Sequence, residues 1–123
     1  MSREKIAQTA EDYEQLHGQV AYDQLKCNQF VLAVLREAID PEFPDMMAND
    51  FPRSSKFTPT SNPQRGDLVH WSGSPHGHIG IITNVEQKRF IGSQSSTGVD
   101  SASYGERYWG KTRPPDVFLR YLD

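Results

Sequence analysis

Residues 26–38, KCNQFVLAVLREA, carry the pattern on which the fold turns. Phe30, Val31, Val34 and Leu35 recur at helical spacing and make one apolar stripe, and Cys27 lies three and four residues upstream of Phe30 and Val31 on the same side. This predicts a largely buried helix with a thiol in its first turn. Upstream, residues 3–17 read as an amphipathic helix. Ile6, Ala10, Tyr13 and Leu16 follow one another at spacings of four, three and three, with polar residues between them, and Gly18 ends the run. Downstream the period changes. Pro41, Pro44, Pro52, Pro59 and Pro63 break the segment 40–65 into irregular chain, with one helical turn expected around 46–49. Strands are then expected at 68–71 (LVHW), 78–85 (HIGIITNV), 89–94 (RFIGSQ) and 117–121 (VFLRY), with a Ser-, Gly- and Tyr-rich loop over 95–112. Helices first and an antiparallel meander after them define an α+β domain, with N-terminal helices packed on a small antiparallel sheet.

Composition limits what such a domain does. The 123 residues suffice for one domain, 1–123. Hydrophobic residues make up 36% and the net charge is only −3, so disorder is disfavoured, although the mean hydropathy is −0.68. No run approaches the roughly 18 apolar residues of a membrane span. The N-terminal MSREKIAQTAEDYEQ lacks the apolar core of a secretory signal. A pI near 5.8 argues against nucleic acid as the main partner. The single cysteine excludes an internal disulfide and any Cys-rich zinc site.

That cysteine is the first candidate for chemistry. A helix N-terminus presents free N–H groups and the positive end of the dipole, which lowers a thiol's pKa; a nucleophilic thiol also requires a base. The histidines are His17, His70, His76 and His78. His17 ends the first helix, His70 alternates with Leu68 inside a strand, His76 belongs to the mouth of a turn, and His78 opens an apolar strand. His76 and His78 have the spacing of two metal ligands on one strand face, but no third ligand lies near them in sequence, so neither metal nor cofactor is expected.

In order, KCNQFVLAVL, QRGDLVHW, GHIGIIT and RFIGSQSSTGV resemble the successive motifs of NlpC-type papain-like cysteine peptidases, over most of residues 20–100. In that family a Cys opens a buried helix, an Arg-Gly-Asp-Leu-Val strand follows, and a His begins the next strand. The resemblance implies Cys27 as nucleophile and His78 as general base. The family places a polar residue on the strand after the His strand, where this chain has Gly92. Gln94, two residues on and on the same strand face, is the substitute, with Ser93 on the opposite face a poorer one. The resemblance also implies a role near the oxyanion for Tyr22, although the backbone N–H of Cys27 is the safer donor. Tyr22, His76, Ser93 and Trp71 are expected to face substrate. Phe51, Tyr104, Tyr108 and Trp109 are further aromatic candidates for the cleft, and Arg65, Lys111 and Arg113 are candidates for substrate carboxylates.

The implied activity is hydrolysis of amide bonds in peptidoglycan stem peptides. A small leaderless catalytic chain looks like an amidase effector of type VI secretion or a phage wall hydrolase. It would be made in the cytoplasm, act in the periplasm or cell wall after specialised delivery, and be matched by an immunity protein over the cleft. Two other readings share the residues: a thiol-dependent acyltransferase or deamidase acting on proteins, and a non-catalytic binding module with an inert thiol, to which Gly92 lends weight.

Overall fold

The computed structural model describes residues 2–73, 77–105 and 114–123. Helix α2 runs over Cys27–Ala38 with Lys26 as its extended N-cap, and the Gln29 side chain accepts the Lys26 N–H at 2.8 Å. Phe30, Val31, Val34 and Leu35 are fully buried, as their stripe predicts. Each side chain of this size contributes roughly 1.5–3 kcal/mol when removed from water. Helix α1 (Ser2–His17) lies beside α2, burying Ile6, Ala7 and Ala10, and Tyr13 meets the Phe30 ring edge-on at 5.5 Å.

Both helices cover one face of a six-stranded antiparallel sheet built from β1 (Phe57–Thr60), β2 (Leu68–Trp71), β3 (His78–Asn84), β4 (Arg89–Gln94), β5 (Gly98–Ser103) and β6 (Val117–Tyr121). The order is β1-β6-β2-β3-β4-β5. β2 to β4 form the expected meander and β5 extends it, whereas β6, expected as its last strand, returns to the other side and inserts between β1 and β2. Strand alternation sends Leu68, Ile79, Ile81 and Ile91 to the helices. It sends Val69, Trp71, Ile82 and Phe90 to a smaller apolar cluster with Tyr104. The central strands are therefore covered on both faces, which is why LVHW and HIGII read as continuous rather than alternating runs.

The segment expected to be irregular contains a 3-10 helix, Ala48–Arg53, and strand β1. The segment 95–112, expected as a loop, contains β5. Gly66 (φ +93°) makes the turn into β2 where α1 presses closest; a Cβ there would lie 2.0 Å from the Arg3 carbonyl oxygen.

Candidate active site

His78 is the first residue of β3 and its ring is buried. Its Nε2 lies 3.1 Å from Gln94 Oε1. The Gln94 amide nitrogen donates to the Asp100 carbonyl at 3.0 Å, so the oxygen is the atom turned to the imidazole. An amide oxygen only accepts, hence Nε2 carries the ring hydrogen and Nδ1 carries the lone pair. Trp71, opposite His78 in the β2–β3 register, packs against the imidazole with centroids 5.9 Å apart, and Phe90 closes another side at 6.1 Å.

Gly92 makes this pair possible. A Cβ at that position would lie 2.7 Å from Gln94 Oε1, 3.0 Å from a Phe90 ring carbon and 3.4 Å from His78 Nε2. The missing polar side chain at 92 thus leaves the space through which the amide, two residues on, reaches the imidazole.

Cys27 presents its thiol at the start of α2, toward the beginning of β3. The N–H groups of Ile79 and Asn28 and the Tyr22 hydroxyl hydrogen-bond the sulfur. Burial pushes the thiol pKa up, against these donors. Burial likewise pushes His78 down to about 3, with the Gln94 hydrogen bond opposing and the charge of His70 adding to the depression. The lowered thiol pKa expected from the helix N-terminus is therefore corrected: loss of solvation outweighs the N–H donors. Both shifts favour the neutral thiol and the neutral imidazole over a standing ion pair. Alkylation of Cys27 by iodoacetamide is accordingly expected to fall about tenfold per pH unit from alkaline solution downward, without a plateau. Fast alkylation persisting at mildly acidic pH would reveal a resident thiolate and overturn this account.

A cavity of about 140 Å³ opens beside the thiol, lined by Tyr22, Lys26, Cys27, Asn28, Met47 and Ala48. Its far wall is held by Asn28, whose amide nitrogen donates to the Met46 carbonyl at 3.0 Å. Next to it, Asn49 bridges His70 Nε2 (3.2 Å) and the Gly73 carbonyl (2.9 Å), tying the 3-10 helix to the chain leading out of β2.

Several expected substrate contacts are placed elsewhere. Trp71 is fully buried on the sheet face away from the helices, and it supports His78 instead of facing the cleft. Ser93 is buried on the helix face, where its hydroxyl donates to the Leu25 carbonyl and ties β4 to the chain entering α2. Phe51 and Tyr104 are core residues, one in each apolar cluster. Arg65 is held in ion pairs to Glu4 (3.0 Å) and Glu11 (2.6 Å), clamping α1 to the sheet. Tyr22 does line the cavity. His76, Tyr108, Trp109, Lys111 and Arg113 lie outside the described residues. Lys26, Asn28, Met47 and Ala48 escaped the sequence reading. Lys26 and Asn28 flank Cys27 and were available by adjacency, but the wall at 46–48 comes from proline-broken chain that carries no period.

Among the described residues no group of three or more His, Cys, Asp or Glu side chains could hold a metal ion, and no helix is long and apolar enough to cross a membrane.

Helices on an antiparallel sheet, with a thiol opening the buried helix and a histidine opening the strand it abuts, define the papain-like class of NlpC and CHAP type. A family model for the CHAP domain matches residues 17–96, about two-thirds of the chain, and the chain belongs to that family. The matched stretch contains Cys27, His78 and Gln94 and ends before β5 and β6. CHAP domains are typically cysteine amidases or peptidases, so the class is one of hydrolases. No curated protein matches the chain.

Proposed function

We propose that the protein hydrolyses amide bonds in peptidoglycan stem peptides, with Cys27 as nucleophile, His78 as base and Gln94 as the residue that positions His78. The observation that carries this reading is the fixed tautomer of His78. The Gln94 oxygen holds the hydrogen on Nε2, leaving Nδ1 as the accepting nitrogen, while the N–H of Ile79, the next residue in the chain, donates to the Cys27 sulfur.

Nδ1 takes the thiol proton as sulfur attacks the carbonyl carbon. The new C–S bond leaves negative charge on the carbonyl oxygen, which the Cys27 N–H at the start of α2 is suited to receive. When the tetrahedral adduct collapses, the C–N bond breaks and the imidazolium returns its proton to the departing amine. Water, deprotonated by the same nitrogen, then cleaves the thioester and restores the thiol. Family membership supports hydrolase chemistry on cell-wall peptides.

The test is digestion of purified sacculi by wild type and by Cys27→Ala, with released muropeptides identified by mass spectrometry. New fragments from the wild type alone are expected, and their masses name the bond cut. Equal release by the alanine variant would end the assignment of Cys27.

A further inference from the structure

We infer that Lys26 makes the cavity beside Cys27 a subsite for a free carboxylate, so that the preferred substrates carry one next to the scissile amide. This inference rests on the proposed thiol chemistry and adds to it the charge of the group that accompanies the reacting carbonyl.

The cavity of about 140 Å³ is too small for a whole peptide and has room for one short polar group. Cys27 and Lys26 are both part of its lining, so an occupant of the cavity lies beside the thiol and within the field of the ammonium. No carboxylate lines it. Lys26 is exposed and takes part in no ion pair among the described residues, whereas Arg36, Arg53, Arg65 and Arg120 each hold an acidic partner. Its extended backbone is fixed by the hydrogen bond to Gln29, so the side chain leaves the helix from a defined point. The remaining lining, Tyr22, Asn28, Met47 and Ala48, brings no charge that would compete for the ammonium. The chain as a whole is acidic, 16 Asp and Glu against 13 Lys and Arg, so its net charge offers a carboxylate no general attraction.

Cys27 is the only cysteine, so two small alkylating agents of nearly equal shape read the subsite directly. Iodoacetate carries a carboxylate and iodoacetamide does not; each forms a thioether at sulfur and releases iodide. The ratio of their rates cancels the thiol's own reactivity. Wild type is expected to show a ratio about five-fold above that of Lys26→Gln, with Lys26→Arg close to wild type and the difference shrinking as salt is added. With a pair of stem peptides differing only as carboxylate or carboxamide beside the scissile bond, kcat/KM should favour the acid in wild type and lose that preference in Lys26→Gln.

Equal iodoacetate-to-iodoacetamide ratios in wild type and Lys26→Gln would overturn the inference. So would a Lys26→Gln protein in which both rates fall together, because the lysine would then act on the thiol and not on the carboxylate. Neither ratio depends on turnover. A charge-dependent ratio without sacculus digestion upholds the subsite and defeats the amidase reading; digestion with equal ratios does the reverse.

Discussion

Alanine at position 78 is expected to lower sacculus digestion by about 10²- to 10⁴-fold, the range that loss of a positioned general base produces. The thiol cannot compensate, because burial holds its pKa above the ordinary value and little thiolate exists near neutrality without a proton acceptor. Two milder variants separate the base from its support. Gln94→Leu keeps the bulk of the side chain but removes the acceptor for Nε2–H, freeing the other tautomer; a loss of about 10- to 100-fold is expected, as for a misplaced catalytic group. Gly92→Ala inserts a methyl 2.7 Å from Gln94 Oε1, so the amide must withdraw, and the activity should fall in the same direction. Nitrogen NMR of the imidazole supplies the readout that mere loss of packing would not move: wild type holds the hydrogen on Nε2, and Gln94→Leu should show a mixture. Undiminished digestion by His78→Ala would remove His78 from the mechanism. Unchanged tautomer and rate in Gln94→Leu would remove Gln94.

The second large effect is on stability. Asp67, from the QRGDLVHW stretch, is fully buried and accepts both Arg120 Nε (3.0 Å) and Nη2 (2.7 Å), while its Oδ2 also accepts the Gln64 N–H at 2.7 Å. Arg120 reaches the Asn62 carbonyl as well, at 3.1 Å. The pair joins β6 to the turn ahead of β2 and so secures the crossing that brings β6 between β1 and β2. Asp67→Ala leaves the Gln64 N–H and a partly buried guanidinium without their acceptor, which should cost about 2–4 kcal/mol. For a chain of this size that corresponds to a fall in Tm of roughly 10–15 °C, measurable by calorimetry. Glu4→Ala, at the solvent-exposed end of the Arg65 cluster, should shift the transition far less. A thermal transition of Asp67→Ala within a degree or two of wild type would show that the turn holds without the pair. The acidic residue of this motif is thus explained by architecture and not by chemistry.

The same contrast runs through the reading of the sequence. Helix α2 was legible from its apolar stripe at helical spacing, and strands β2, β3, β4 and β6 from short apolar runs bounded by turn residues. β1 and β5 were not. β1 is an edge strand, FTPT, and Pro59 is tolerated there because an edge residue can point its missing N–H away from the ladder. β5, GVDSAS, has little strand propensity of its own and forms against β4 from Arg89↔Ser103 to Gln94↔Gly98. Its start is held from the other side, where the Gln19 N–H donates to the Val99 carbonyl (2.8 Å) and the Val99 N–H to the Val20 carbonyl (3.2 Å).

At the site, the ordered motifs and the family they resemble marked Cys27 and His78, and alternation along β4 then pointed to Gln94 in place of Gly92. Gly92 read as a defect because a strand pattern records which face a residue takes and not the volume its neighbours need. Trp71 and Ser93 read as cleft residues for a related reason: aromatic rings and hydroxyls are chemically suited to substrate and to the interior alike, and only packing assigns them to one. By itself the sequence determined the order of elements, the stripe that buries α2 and the placing of a thiol and an imidazole at the starts of two elements, all properties of short-range periodicity. The tertiary structure decided the insertion of β6, the wall at 46–48, the amide behind His78 and the neutrality of thiol and imidazole, because these depend on long-range contact and on how much water the assembled fold leaves around each group.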